Sequence, residues 1–134
     1  MATLANLVEV DGSGNIFVAD LLNSAVREIV AVGGIVSSSS TVITLGSGFD
    51  EPFGVAVDGS GNVFVADTGN NLVKEIVAVN GSIPANNPTI NVLGSGFNEP
   101  TSVAVDGSGN VFVADFENNA VEEIVVVSGS IPAN

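Results

Sequence analysis

Histidine, cysteine, tryptophan and tyrosine are all absent from the 134 residues of this chain. Without cysteine it can form neither a disulfide nor a thiolate metal site. General acid or base chemistry would fall entirely on Asp and Glu, and no nucleophile with a partner base can be assembled from the sequence. We therefore expect a protein that is not an enzyme and that holds no cofactor and no metal.

Positive charge is almost absent as well. Arg27 and Lys74 stand against fifteen acidic residues, which gives a formal net charge of −13. Such a chain repels a phosphate backbone and an anionic bilayer, so nucleic acid and membrane are excluded as expected partners. The same charge could attract cations or a basic protein, although acidic surfaces usually serve solubility.

Long hydrophobic runs are missing too. No stretch approaches the roughly 18 apolar residues that a membrane span needs. The first ten residues, MATLANLVEV, lack a basic segment followed by a long apolar one, so they do not resemble a signal peptide. We expect a soluble chain and leave its compartment open.

What the chain does contain is a tandem repeat. The ten residues DGSGNVFVAD stand at 58–67 and again at 106–115, and they recur at 11–20 with only Ile16 in place of Val. The copies are spaced by 47 and 48 residues, a period typical of propellers, solenoids and repeat arrays.

Each repeat predicts four short strands bounded by Gly, Asn, Asp or Pro. In the second repeat these are strand A at 53–57, B at 62–66, C at 72–79 and D at 89–93. The runs VAV, VFVA and IVAV are apolar on both faces, which indicates burial on both sides. Antiparallel four-stranded units packed face to face predict an all-β fold of β-propeller blades. A β-solenoid is the alternative, although its repeats are shorter and lack hairpin turns.

The pattern GFxEPxxVAVDGSGNVFVADxxNNxVxEI, at 48–76 and 96–124, resembles the NHL repeat. That resemblance implies a propeller, usually with six blades. NHL repeats commonly place Arg after the Asn pair, whereas this chain has Ala25, Leu72 and Ala120. The basic surface of RNA-binding NHL proteins therefore does not carry over.

Counting strands predicts blade 1 at 1–48, blade 2 at 49–96 and blade 3 at 97–134, the last without its outer strand D. Residues 1–6 are too few to supply both that strand and the seven-residue return to strand A. Three blades cannot close a ring, so we expect an apolar face at each end and an open C-strand edge at 120–127, where Glu122 and Glu123 act as gatekeepers. The sequence therefore predicts a head-to-tail homodimer that closes a six-bladed ring, with a larger ring as the alternative.

Three groups of side chains are candidate sites. The DGSGN turns resemble part of a calcium loop, but hairpin-turn chemistry explains them better. Asp20, Asp67 and Asp115 end strand B in every repeat, and we expect each to accept hydrogen bonds from backbone N–H groups of the following loop. The loops on one side of the blades form a possible interaction rim, with a plain solvated surface as the alternative. Its residues are Asp50, Glu51, Asp67, Asn70, Asn71, Glu99, Asp115, Phe116, Glu117 and Asn118, with Asn119 beside them.

The function expected from the sequence is thus a self-assembling scaffold or protein-interaction module. The alternative is part of a larger ligand-binding or enzymatic propeller whose active residues lie outside this chain.

Overall fold

The structure is a computed structural model that describes residues 7–126, and its regular structure there consists of short β-strands and single 3-10 turns. The all-β prediction is confirmed. The strands are β1 (Val8–Val10), β2 (Ile16–Asp20), β3 (Ala25–Ile29), β4 (Val42–Thr44), β5 (Pro52–Val57), β6 (Val63–Asp67), β7 (Leu72–Ile76), β8 (Ile90–Leu93), β9 (Pro100–Val105), β10 (Val111–Asp115) and β11 (Ala120–Ile124).

These strands form three antiparallel sheets, each with its strands in chain order. The first sheet contains β1 to β4, the second β5 to β8, and the third β9 to β11. Every ladder between strands of residues 7–126 is antiparallel, which removes the solenoid alternative. Three such sheets are consistent with propeller blades.

Strand C is shorter than the sequence predicted. It was expected to run over 72–79, whereas β7 ends at Ile76. The amide of Ala78 instead donates to Asn62 Oδ1 at 2.8 Å, and Val79 pairs with Ser82 in an isolated bridge. The apolar run thus extends beyond the strand, because the side chain of Asn62 in the A-to-B turn accepts the backbone amide of Ala78.

The A-to-B turns are held by their first aspartate. Asp58 Oδ1 accepts the amides of Ser60 and Asn62, both at 2.9 Å, and Asp58 Oδ2 accepts Asn62 Nδ2 at 2.9 Å. The turns that begin at Asp11 and Asp106 repeat these bonds. The hairpin-turn interpretation of DGSGN is thereby confirmed.

The B-to-C connections are single 3-10 turns at Leu21–Asn23, Thr68–Asn70 and Phe116–Asn118. Each ends on a residue in the left-handed region, namely Ser24, Asn71 and Asn119 with φ of 51°, 57° and 53°. Asparagine tolerates this conformation better than most residues. The turn therefore presents the same loop at the same end of every sheet.

Apolar side chains fill the spaces between neighbouring sheets. One face of the first sheet, with Phe17, Ala19 and Val26, joins a buried cluster with Val55, Val63, Val65 and Ile76 of the second. The second junction repeats this arrangement, with Phe64, Ala66 and Val73 clustered with Val103, Val111 and Val113. Fully burying each Val, Ile or Phe side chain of these clusters stabilises the fold by about 1.5–3 kcal/mol. The sheets are thus held face to face by equivalent residues.

The first strands of the sheets lie close together. A Cβ on Gly54 of β5 would stand 2.9 Å from the carbonyl oxygen of Thr101 in β9, so the two backbones approach closely there. Strands β4 and β8 lie at the opposite edges of their sheets. None of the helical turns within residues 7–126 is long and apolar enough to cross a bilayer.

Candidate interaction site

Part of the predicted rim lies at the junction between the second and third sheets. Glu51, Asn71 and Glu99 line one open cavity of about 300 Å³ together with Thr68, Gly69 and Asn98. Asn71 Oδ1 accepts the amide of Glu99 at 2.8 Å, and Thr68 Oγ1 donates to the Pro100 carbonyl at 2.6 Å. These rim groups therefore join adjacent sheets, which is a structural role.

Two predicted rim residues do not reach the surface. Asp67 and Asp115 have 0% of their surface exposed. Asp67 Oδ1 accepts the amide of Asp50 at 2.8 Å, and Asp115 Oδ1 accepts the amide of Asn98 at 2.7 Å. The backbone donor thus lies in the loop before strand A, and not in the following loop as predicted. A buried carboxylate needs such donors to offset its desolvation, so both residues belong to the frame of the rim.

The asparagines after these aspartates complete the same network. Asn70 Nδ2 donates to Asp67 Oδ2 at 2.8 Å and to the Gly48 carbonyl at 3.1 Å. Asn118 Nδ2 makes the equivalent bonds to Asp115 Oδ2 at 2.7 Å and to the Gly96 carbonyl at 3.0 Å. Some of the carboxylate and amide groups of the rim are therefore occupied by hydrogen bonds within the chain.

The remaining rim positions, Asp50, Glu117 and Phe116, are exposed side chains on the same loops. The backbone of Asp50 accepts the amide of Gly69 at 2.8 Å, and Glu117 donates its amide to the Asn98 carbonyl at 3.0 Å. Phe116 is 59% exposed. Together with Ala114 and Val121, Phe116 borders an open cavity of about 310 Å³ on the exposed face of the third sheet.

The residue facing the buried aspartate differs between the sheets. Lys74 Nζ lies 2.7 Å from Asp67 Oδ2 with both side chains largely buried, whereas Arg27 Nε lies 2.8 Å from a more exposed Asp20 Oδ2. Hydrogen bonds from Asn23 and then from Arg27 lower the pKa of Asp20. The third sheet has Glu122 at this position, beside Asp115. Burial and the nearby Asp115 charge raise the pKa of Glu122.

An apolar face lies open at the end of the third sheet, as the sequence predicted in outline. This third-sheet end face contains Ala104, Phe112, Ala114 and Val121, the repeat equivalents of Ala56, Phe64, Ala66 and Val73. Phe64 is 1% and Val73 is 0% exposed, whereas Phe112 is 36% and Val121 is 78% exposed. Identical residues are thus buried in the second sheet and open in the third.

The first sheet presents the complementary face. Val8 and Val10 of this first-sheet end face are 54% and 56% exposed. The repeat equivalents of Val8 are Val55 and Val103, which are 0% and 1% exposed because a preceding sheet covers them. These residues were not singled out from the sequence, although aligning the repeats by number would have found them.

Within residues 7–126, no group of three or more Asp and Glu side chains converges as metal ligands would. The carboxylates of the DGSGN turns accept backbone and amide hydrogens of their own loops.

A sequence model of the NHL repeat matches residues 49–76 and 97–122, whereas no curated protein matches the chain significantly. Among solved structures, a streptogramin B lyase is similar over 87% of this chain and 36% of its own, with 13% identity and a TM-score of 0.65. A catalytically inactive histidine-to-alanine variant of virginiamycin B lyase from Staphylococcus aureus, solved with quinupristin, matches at 9% identity and TM-score 0.58 over 90% of this chain and 41% of that one. Hydrazine synthase from Kuenenia stuttgartiensis matches at 11% identity and TM-score 0.56, over 98% and 38% of the two chains. The chain thus spans well under half of these proteins, and the likeness supports the propeller fold alone.

Proposed function

We propose that this chain, whose NHL repeats fold as propeller blades, is a non-enzymatic scaffold that assembles through its two end faces. The third-sheet end face of one copy packs on the first-sheet end face of the next. Two copies with three sheets each supply six blades, the usual number for the resembled family. The assembly is then a head-to-tail homodimer that closes a ring, with a larger closed ring as the alternative.

One observation supports this proposal above the others. The four side chains of the third-sheet end face are identical to those that the second sheet buries against the third. A surface that already packs well on one partner should pack equally on another with the same residues. The partner surface is present on every copy, because the first-sheet end face is built from Val and Ile like those that meet Phe64.

The energetic gain is substantial even for one residue. Phe112 is 36% exposed, which leaves about 70 Å² to bury if a Phe side chain offers roughly 200 Å². At about 25 cal/mol per Å² this contributes roughly 2 kcal/mol to association. Val121, Val8 and Val10 add to it. Repulsion opposes association because each chain has a net charge of −13, and dissolved salt screens that repulsion.

Sedimentation equilibrium tests the proposal directly. We expect a species of twice the 13.4 kDa chain mass that becomes more prominent as NaCl is raised. Val121→Asp should weaken association at least about 100-fold, since it places a charge in the apolar junction. Val32→Asp is the matched control. Val32 is 79% exposed, like Val121 at 78%, but lies in the connection between β3 and β4, away from the end faces.

Two results would overturn the proposal. One is a wild-type chain that remains monomeric up to about 100 µM, a concentration at which even weak specific dimers are visible. The other is an equal loss of association in Val32→Asp and Val121→Asp, which would indicate nonspecific adhesion of apolar residues.

The second candidate function is a segment of a larger ligand-binding or enzymatic propeller. The coverage of 36% and 41% of two lyase chains favours it. This chain contributes no histidine, so catalytic groups of that kind would have to come from elsewhere. A chain that is monomeric alone but binds stably to a separate fragment with further blades would support this alternative.

A further inference from the structure

The outer edge of the third sheet differs from the outer edges of the other two. Strand β3 pairs with β4, and β7 pairs with β8, whereas no described strand of residues 7–126 pairs with the outer side of β11. Strands β3, β7 and β11 occupy the same place in the repeat. An open strand edge presents unpaired N–H and C=O groups that can template another strand.

The strands that occupy this place elsewhere share a sequence. Residues 41–49 read TVITLGSGF and residues 89–97 read TINVLGSGF. Their common leucines, Leu45 and Leu93, are 2% and 1% exposed, and the common phenylalanines, Phe49 and Phe97, are 7% and 8% exposed. Both types pack into the clusters between sheets. The outer strand therefore contributes a ladder, a buried leucine and a buried phenylalanine.

We propose that the outer edge of β11 is a docking site for an extended strand from another polypeptide, with the pattern Thr-x-x-x-Leu-Gly-x-Gly-Phe. The incoming strand runs antiparallel to β11, and its leucine covers Val121 as Leu93 covers Val73. The recognition mode is strand addition, in which backbone bonds give affinity and side-chain pockets give specificity. The backbone ladder lies on the sheet edge and can form without end-face association, whereas the leucine rests on Val121 of the third-sheet end face.

Equivalent hydrogen bonds define the register. The amides of Val30 and Val77 donate to the carbonyls of Thr41 and Thr89, both at 2.9 Å, and Leu45 donates its amide to the Val26 carbonyl at 2.8 Å. By repeat position, the amide of Val125 would donate to the threonine carbonyl of the incoming strand, and the carbonyl of Val121 would accept the leucine amide. Alternation in an antiparallel ladder adds the amide of Glu123 to the set.

The charge on β11 also predicts a preference. Glu75 pairs in register with Asn91, whose Nδ2 donates to Glu75 Oε1 at 3.4 Å. Glu123 holds the same repeat position and is exposed. A strand with Lys at the position of Asn91 should therefore bind more tightly to β11, and added salt should remove that gain.

The test uses the full chain and a fluorescein-labelled peptide of residues 88–99. We expect saturable binding of one peptide per chain with a dissociation constant below about 1 mM. A peptide with Leu93→Asp should bind at least about 10-fold more weakly, because its charge would lie against Val121 and the apolar third-sheet end face. A peptide with Asn91→Lys should bind more tightly at low salt only.

Variants of the chain locate the site. Val125→Pro removes the edge amide and should abolish binding, while Val125→Ala keeps the amide and serves as its control. Hydrogen exchange gives a second readout that needs no variant, since bound peptide should protect the amides of Val121, Glu123 and Val125. Absence of saturable binding, or equal binding of the Leu93→Asp peptide, would overturn the docking site.

The outcomes separate this site from end-face assembly. Peptide binding to a chain that sediments as a monomer would leave the docking site intact and refute the scaffold. Dimerisation without peptide binding or edge protection would do the reverse.

Discussion

The buried pair of Lys74 and Asp67 offers the sharpest test of the packing described above. Lys74 Nζ lies 2.7 Å from Asp67 Oδ2, with side-chain exposures of 11% and 0%. The ammonium also donates to the Gly48 carbonyl at 3.0 Å and stands 5.2 Å from the centroid of the Phe49 ring. Lys74→Met removes the charge while keeping a flexible apolar chain of similar length.

Removing one partner of a buried ion pair typically costs about 3–5 kcal/mol, because the other charge stays buried without compensation. Asp67 keeps the amide of Asp50 and the side chain of Asn70 as donors. We therefore expect Lys74→Met to cost about 3 kcal/mol, at the low end of that range. Arg27 provides the matched control, since its pair with Asp20 has the same spacing but is 35% and 29% exposed. Arg27→Met should cost less than about 1 kcal/mol.

Urea denaturation followed by circular dichroism measures both costs. The experiment is run in the Val121→Asp background at low protein concentration, so that association does not contribute to stability. A double-mutant cycle with Asp67→Asn isolates the pair, and the penalty of Lys74→Met should shrink in that background. Equal losses in Lys74→Met and Arg27→Met would refute the reasoning, because burial would then not control the value of the pair.

Three further predictions follow from particular residues. Gly61→Ala should destabilise the chain more than Gly48→Ala in urea titrations. The two glycines have nearly equal φ, +88° and +87°, but only a Cβ on Gly61 would approach a backbone oxygen, that of Gly81, to 2.5 Å. Equal losses of stability would refute the steric argument. Glu122→Lys should raise the melting temperature by placing a cation beside Asp115, as Lys74 stands beside Asp67, whereas Glu123→Lys on the exposed side of β11 should not; a lower melting temperature for Glu122→Lys would contradict this. Burial raises the pKa of Glu75 above its usual value of 4.5. The contribution of Glu75 to stability is therefore present below about pH 4.5 and is lost as the pH rises through the raised pKa. Glu75→Gln should therefore be more stable than wild type at pH 7 and lose that advantage at pH 4, as urea midpoints at the two pH values would reveal, and a difference independent of pH would exclude titration of Glu75 as its origin.

The repeat made most of the fold predictable. Phe17, Phe64 and Phe112 stand at one repeat position with small or β-branched neighbours, and that pattern predicted sheets that are apolar on both faces. The turns were equally predictable, because an Asp followed by Gly, Ser, Gly and Asn has few alternatives to an Asx-type hairpin. Local sequence sufficed for the A-to-B turns, where hydrogen-bond partners such as Asp58 and Asn62 lie within four residues of each other.

The candidate site was less predictable because its contacts are distant in sequence. Asp67 and Asp115 were expected to accept backbone amides of the following loop, but the backbone amides that they accept are 17 residues earlier, at Asp50 and Asn98. The end of strand C was missed for a similar reason, since the Asn62 that captures Ala78 is 16 residues away. No local pattern encodes such distances.

The sequence by itself determined the period, the strand order within a repeat and the identity of residues at equivalent positions, because each depends on neighbours along the chain. Tertiary structure alone decided which of those equivalent residues are buried. Val73 and Val121 have the same identity and the same local sequence position, yet one is 0% and the other 78% exposed. Burial depends on whether another sheet and an outer strand lie against the residue, and for Val121 no described residue of this chain supplies either.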